Sequence, residues 1–173
     1  MSDISNRKLI LGSTSAYRRE LLDRLRIPFS VESPHVDETP LPDESPAELA
    51  CRLALAKANA VAQRFPGCVV IGSDQVADLE GHALGKPGTH ERATPQLRQM
   101  RGKTVIFQTA LAVVCLESGF CKQDLAPVKV TFRDLNDTEI ENYLRQEQPY
   151  DCAGSAKSEG LGIALLDAIE SDD

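Results

Sequence analysis

Two adjacent arginines stand in the first turn of a predicted helix, where positive charge is unfavourable. Ser13–Arg19 joins a short apolar strand to that helix, and Arg18 and Arg19 follow its start. A helix N-terminus carries about half a positive charge, so cations there need a compensating anion. Unpaired N–H groups, the hydroxyls of Ser13 and Ser15 and guanidinium forks suit a phosphate group. The segment indicates phosphate binding; the alternative is an ordinary Ser15 N-cap with two solvated arginines.

A lysine lies within the apolar stripe of the long predicted helix. At 100° per residue, Lys57 falls between Leu53 and Ala54 on the face that also carries Ala50 and Val61. An unpaired buried ammonium is expensive, so an inward Lys57 requires a carboxylate or a ligand phosphate. The alternative is a lysine that extends past the edge of the helix to water.

An aspartate follows a strongly apolar strand. Asp74 comes after Val69–Gly72 and Ser73, and we expect the strand to end at this carboxylate. Ligands of α/β proteins gather at the carboxyl ends of strands, which favours a general base or a metal ligand. Asp is also a favoured turn residue, so a structural role stays open.

Further charged residues lie in predicted loops. Lys86 stands between Gly85 and Pro87, Glu38 lies in an acidic Pro-rich loop, and residues 153–160 carry a Gly-flanked Lys and Glu. Isolated charges of this kind are usually solvated. Four cations and two carboxylates together are nevertheless the residue types that metal-assisted phosphoanhydride chemistry requires: Arg18, Arg19, Lys57, Lys86, Glu38 and Asp74.

The elements that must position these residues alternate between strands and helices. The pattern predicts strands at residues 8–12, 29–33, 68–72, 104–116 and 122–132, a hairpin at 76–84 that turns at Glu80 and Gly81, and a late strand at 162–169. It predicts helices at residues 16–26, 46–64, 89–100 and 136–146, the last two capped by Thr89 and Asn136. Because βα units mix with long antiparallel strands, we expect an α/β protein with a mixed sheet.

Length and composition limit the classes of function. The 173 residues predict one domain with two lobes, and 26 acidic against 19 basic residues give a charge of −7, which argues against a nucleic-acid or membrane partner. No apolar stretch is long enough to span a bilayer or to form a signal peptide, so we expect a cytoplasmic protein. The five scattered cysteines predict reduced thiols.

Taken together, the motifs resemble the Maf family of nucleotide pyrophosphatases over nearly the whole chain. The resemblance depends on an ordered series of segments: residues 9–15, 18–22, 36–38, 53–58, 72–74, 85–87 and 151–155. It implies a Maf/ITPase-like fold, a mixed elongated sheet flanked by helices, with two lobes around a deep nucleotide cleft. It also implies that residues 1–173 lack the usual C-terminal segment of the family.

The resemblance further implies roles for individual residues. Asp74 would be the proton acceptor, and Glu38 and Asp74 would hold a divalent cation, Mg²⁺ or Mn²⁺. The triphosphate would be bound by Ser13, Arg18, Arg19, Lys57 and Lys86. The base would be discriminated by Tyr17, Gln75 and Glu159.

The local sequences around Gln75, Phe132–Leu135 and Glu159 are most similar to those of the YceF subfamily, whose members are described as 7-methyl-GTP pyrophosphatases. A carboxylate at position 159 suits a guanine-type base, because it can accept from N1–H and the exocyclic amine. The expected partner is therefore a nucleoside triphosphate, with homodimer formation left open. Two alternatives remain: a pyrophosphatase for another nucleotide, such as dTTP or UTP, and a non-catalytic nucleotide-binding regulator of cell division.

Overall fold

Seven strands of the described residues form one mixed sheet. The computed structural model describes residues 6–172. The strands are β1 Leu9–Gly12, β2 Phe29–Val31, β3 Val69–Leu79, β4 His82–Leu84, β5 Thr104–Cys115, β6 Phe120–Phe132 and β7 Leu166–Ser171. Their order is β2-β1-β3-β5-β6-β7, with β4 also beside β3. This confirms the predicted mixed α/β class.

Four α-helices and two short 3₁₀ helices complete the secondary structure of the described residues. The α-helices are α1 Ala16–Asp23, α2 Pro46–Ala62, α3 His90–Met100 and α4 Asp137–Glu147; the 3₁₀ helices are Ala153–Ser155 and Leu161–Leu165. Thr89 caps α3 and Asn136 caps α4, as the sequence predicts, and Asn136 also forms a capping box with Glu139. Among residues 6–172, no helix is long and apolar enough to cross a membrane.

The chain divides into two compact units, and β3, β5 and β6 contribute residues to both. Among the described residues, the first unit contains residues 6–44, 48–74 and 110–125, and the second contains residues 45–47, 75–109 and 126–172. The five cysteines, all within residues 6–172, form no disulfide with one another.

In the first unit, two strands lie parallel to β1. Leu9 is in register with Phe29 of β2 and with Val69 of β3, and Gly12 is opposite Gly72. Helix α2 buries a row of small apolar residues in this unit: Ala50, Ala54, Ala58, Val61 and Ala62. These short side chains allow the helix to approach the strands closely.

In the second unit, α3 and α4 share a core with the far halves of the long strands. The large side chains of this core include Leu97, Met100, Phe132, Ile140 and Leu144, which are almost fully buried. The hairpin of β3 and β4 turns at Glu80 and Gly81, as predicted. Both residues have positive φ, 54° and 85°, as the two-residue turns that suit hairpins require.

Three predicted elements have a boundary that differs by three residues or more from the structure. Helix α1 ends at Asp23, three residues before the predicted end; none of its residues is buried, so no packing extends it, and Pro28 disfavours helix in the residue before it. The late strand begins only at Leu166, because residues 161–165 form a 3₁₀ helix.

The third difference concerns Asp74. This residue does not end a strand, because β3 continues to Leu79. The pairing with β1 ends at Gly72, and beyond that point β3 pairs with β4 from Ala77 onward. Asp74 therefore lies inside a long strand, just past the end of its parallel partner.

Candidate active site

The polar residues of the first unit begin where the parallel pairing of β1 and β3 stops. Ser13 follows the last residue of β1, and Ser73 and Asp74 follow Gly72 on β3. All three are buried, with Asp74 only 7% exposed. The carboxyl ends of parallel strands are the usual place for a ligand in α/β proteins.

Helix α2 brings Lys57 to this position. Its side chain is buried, and Nζ lies 2.6 Å from Oδ1 of Asp74 and 2.7 Å from Oε1 of Glu38. Of the two alternatives for Lys57, the structure shows the inward side chain, and the anions that it meets are two carboxylates. A buried pair is costly to break, because either partner alone would be an uncompensated buried charge.

Helix α1 places Arg18 beside the same group. Ser15 is the N-cap and accepts from the N–H of Arg18, and Ser13 Oγ accepts from the N–H of Ser15 at 3.1 Å. The guanidinium of Arg18 donates to Ser13 Oγ at 3.4 Å. Arg19 is exposed, and Tyr17 is partly buried. The alternative interpretation, an ordinary Ser15 N-cap with two solvated arginines, is thus correct for Ser15. It does not hold for Arg18, which contacts Ser13.

Burial and charge oppose each other at the centre of this group. Burial raises the pKa of the Asp74 carboxyl, whereas the hydrogen bond and charge of Lys57, and the charge of Arg18, lower it. Burial also lowers the pKa of the Arg18 guanidinium, although Asp74 and Glu38 favour its charged form. A buried carboxylate with a raised pKa is a common property of catalytic bases.

The loop that carries Glu38 is tied to α2 by an arginine that sequence reasoning missed. Arg52 donates through Nε to Glu44 Oε1 at 2.5 Å and through Nη2 to Glu44 Oε2 at 2.9 Å and to the carbonyl of Thr39 at 3.0 Å. Glu44 also accepts from the N–H of Leu41. No motif in the sequence marks this pair, which depends on where the Pro-rich loop returns to the helix.

The Arg52 fork gives a test of this loop. The pair lowers the pKa of Glu44 to about 2, so the carboxylate contact is fully present above the usual carboxyl pKa and is lost only as the pH falls through about 2. We expect Arg52→Lys, which cannot form the bidentate fork, to move that pKa upward toward the ordinary value near 4.3. Titration of the Glu44 carboxyl by NMR measures the change. Arg64→Lys, at the exposed Arg64–Glu32 pair, is the control and should leave Glu44 unchanged; a wild-type pKa near 4 would contradict the prediction.

The other predicted site residues belong to the second unit. Gln75 is exposed on β3, and its amide donates to Thr109 Oγ1 at 2.9 Å. Lys86 is exposed in the loop after β4, and Glu159 is exposed between the two 3₁₀ helices. Direct contacts or charge interactions therefore link five predicted site residues: Ser13, Arg18, Glu38, Lys57 and Asp74. The roles assigned to all the predicted site residues stay predictions.

Hydrogen bonds hold the Lys86 loop and the 153–155 segment of the second unit together. Gln96 of α3 donates to the carbonyl of Gly85 at 3.0 Å and accepts from the hydroxyl of Ser155. The N–H of Gly154 donates to that same carbonyl, and the N–H of Gly88 donates to the backbone carbonyl of Tyr150. Sequence reasoning missed Gln96 as well, because a lone glutamine on a helix has no distinctive spacing.

A divalent cation would have few protein ligands here. Within residues 6–172, no group of three or more His, Cys, Asp and Glu side chains could hold a metal ion. The two predicted ligands, Glu38 and Asp74, do converge on the same ammonium group. Mg²⁺ is commonly bound by one or two carboxylates together with substrate phosphates and water, so this pair fits a cation that arrives with a nucleotide.

The fold and these contacts define a class: an α/β protein in which a buried carboxylate, paired with basic side chains, lies beside the carboxyl ends of parallel strands. Comparison with known proteins is more specific. The chain belongs to the family described as Maf-like protein, whose model matches residues 8–173. The resemblance noted in the sequence is thereby confirmed.

Several curated relatives of this chain share one name, 7-methyl-GTP pyrophosphatase. A protein of Albidiferax ferrireducens named 7-methyl-GTP pyrophosphatase is 71% identical over 173 residues, which are 100% of this chain and 87% of the relative. Proteins with that name from Polaromonas sp. and Burkholderia pseudomallei are 73% and 59% identical, covering 98% and 96% of this chain and 77% and 79% of the relatives. The chain is thus similar to these proteins over almost its whole length.

Proposed function

We propose that this protein is a nucleoside triphosphate pyrophosphatase that hydrolyses 7-methyl-GTP to 7-methyl-GMP and pyrophosphate. The observation that carries the proposal is the buried Asp74 carboxylate, held by Lys57 with Arg18 and Glu38 beside it. The shared name of relatives up to 73% identical supports the choice of substrate.

In the proposed reaction, Asp74 is the general base. Its carboxylate takes a proton from a water molecule, whose oxygen forms a bond to the α-phosphorus. The bond from that phosphorus to the oxygen bridging to the β-phosphorus breaks, and pyrophosphate leaves with the bond's electron pair. Burial favours this role, because a raised pKa brings a carboxyl closer to the pH at which a base works best.

Basic and hydroxyl side chains are proposed to bind the triphosphate. In the first unit these are Ser13, Arg18, Arg19 and Lys57, and in the second Lys86. Two carboxylates hold the Lys57 ammonium in place, so its position is fixed before phosphate oxygens approach. Glu38 and Asp74 would hold a divalent cation, which when bound would neutralise charge on the phosphate oxygens.

Selection of the base is assigned to Tyr17, Gln75 and Glu159. A ring such as that of Tyr17 stacks favourably on the positively charged ring of 7-methylguanine. The Glu159 carboxylate can accept the N1–H and amino hydrogens that a pyrimidine does not offer in the same arrangement.

A nucleotide panel tests the proposal. We expect a kcat/KM for 7-methyl-GTP at least about tenfold above those for GTP, dTTP and UTP, with monophosphate and pyrophosphate formed in equal amounts. Product analysis by chromatography, with added Mg²⁺ or Mn²⁺ and with chelator, measures both. Equal turnover of dTTP and 7-methyl-GTP would contradict the substrate assignment. Diphosphate and orthophosphate as products would contradict attack at the α-phosphorus, and binding without hydrolysis would favour a regulatory protein.

A further inference from the structure

Helix α4 presents two polar side chains to the segment that carries Glu159. Tyr143 and Glu147 are four residues apart, so they lie on the same face of the helix. Both contact residues 155–161, which we call the specificity segment. All of these residues lie in the second unit.

Glu147 binds the specificity segment on both sides of Glu159. One carboxylate oxygen lies 3.0 Å from Lys157 Nζ, and the other accepts from the N–H of Leu161 at 2.7 Å. These two interactions lower the pKa of Glu147, the N–H of Leu161 contributing most. The carboxylate also lies directly against Gly160, where an added Cβ would come within 2.7 Å of it.

Tyr143 binds the start of the same segment. Its hydroxyl donates to the carbonyl of Ser155 at 3.0 Å and accepts from the N–H of Lys157 at 3.1 Å. The side chain is almost fully buried, so removing the hydroxyl would leave two backbone groups without this partner. Three backbone groups around Glu159 are thus fixed by α4 side chains rather than by regular secondary structure.

We propose that Tyr143 and Glu147 are positioning residues that hold the specificity segment so that Glu159 selects the base. This inference rests on the proposed function and deepens it by naming what sets the preference among nucleotides. Neither residue needs to touch substrate. Their effect arises because a small displacement of a recognition group weakens its hydrogen bonds to the correct base more than it weakens phosphate binding.

The test measures discrimination rather than rate. For the full chain and each variant, kcat/KM and Kd are determined for 7-methyl-GTP and UTP. We expect the ratio of the two kcat/KM values to fall about tenfold in Glu147→Ala, with most of the change in KM. The ratio should fall less in Glu147→Gln, because the amide oxygen of the glutamine can still accept from the N–H of Leu161. Tyr143→Phe should lower the ratio in the same direction.

Three comparisons decide the outcome. Amide exchange at Leu161 should speed up in Glu147→Ala, and the double variant Glu147→Ala/Glu159→Gln should discriminate no worse than Glu159→Gln alone. Glu141→Gln removes a carboxylate of α4 that pairs with His90 and Arg145, and it should leave the ratio unchanged. An unchanged ratio despite faster exchange, additive effects in the double variant, or an equal loss in the Glu141→Gln control would each overturn the inference.

Failure of the proposed function is recognised separately. A wild type that does not prefer 7-methyl-GTP would contradict the substrate assignment by itself. The positioning role is then judged on whichever nucleotide preference the wild type shows in kcat/KM or Kd. If Glu147→Ala leaves that preference unaltered, the positioning role is wrong.

Discussion

Asp74→Asn should lower the rate of pyrophosphate release by about 10³-fold, because an amide cannot take a proton from the attacking water. Asparagine has nearly the same shape and keeps an oxygen that can accept from Lys57 Nζ, so the hydrogen bond of 2.6 Å has a replacement. We therefore expect nucleotide affinity and folding to change far less than kcat. Single-turnover kinetics with 7-methyl-GTP, alongside calorimetric binding, separates the two effects.

Asp78→Asn is the matched control for this substitution. Asp78 lies on the same strand, but its carboxylate accepts from the N–H of Gly81 and the amide of Gln108 at the hairpin. This variant should keep its pyrophosphatase activity within about twofold, since most substitutions outside a site have small effects. If Asp74→Asn retained the wild-type rate, Asp74 would not be the base and another group would have to activate the water.

Gly72→Ala should be severely destabilising. A Cβ at Gly72 would overlap the carbonyl oxygen of Ala54 and lie 2.5 Å from the backbone nitrogen of Ala58. These are helix backbone atoms, which cannot rotate away as a long side chain could. We expect the free energy of unfolding to fall by about 3 kcal/mol, at the upper end of overpacking effects.

The same substitution should also impair activity in the fraction that folds. Relief of the clash requires α2 to move away from β3, and this movement separates Lys57 from Asp74. Urea unfolding curves measure the stability, and kcat/KM under native conditions measures the site. Gly85→Ala is the control for stability, because an added Cβ there meets no atom within 4 Å. A Gly72→Ala midpoint equal to that of wild type would show that the helix and strand tolerate a wider separation.

Much of the fold could be predicted because local patterns and tertiary packing agree. Helices α3 and α4 begin at the caps that their sequences specify, and the β3–β4 hairpin turns at Glu80 and Gly81, whose positive φ angles the turn requires. Local signals failed where packing decided the outcome. Helix α1 is shorter than its apolar periodicity predicts, because none of its residues is buried in a core.

Prediction of the candidate site divides in the same way. The sequence by itself determined that Lys57 sits on an apolar helix face and must either reach water or meet an anion, because burial of an unpaired ammonium is too costly wherever the helix packs. Only the tertiary structure decided that the anions are Glu38 and Asp74, and that Asp74 lies inside a strand rather than at its end. Arg52 and Glu147 likewise gain their roles from a loop and a segment that return to a helix. Contacts of that kind depend on the three-dimensional path of the chain, which residue types and spacing along the sequence do not encode locally.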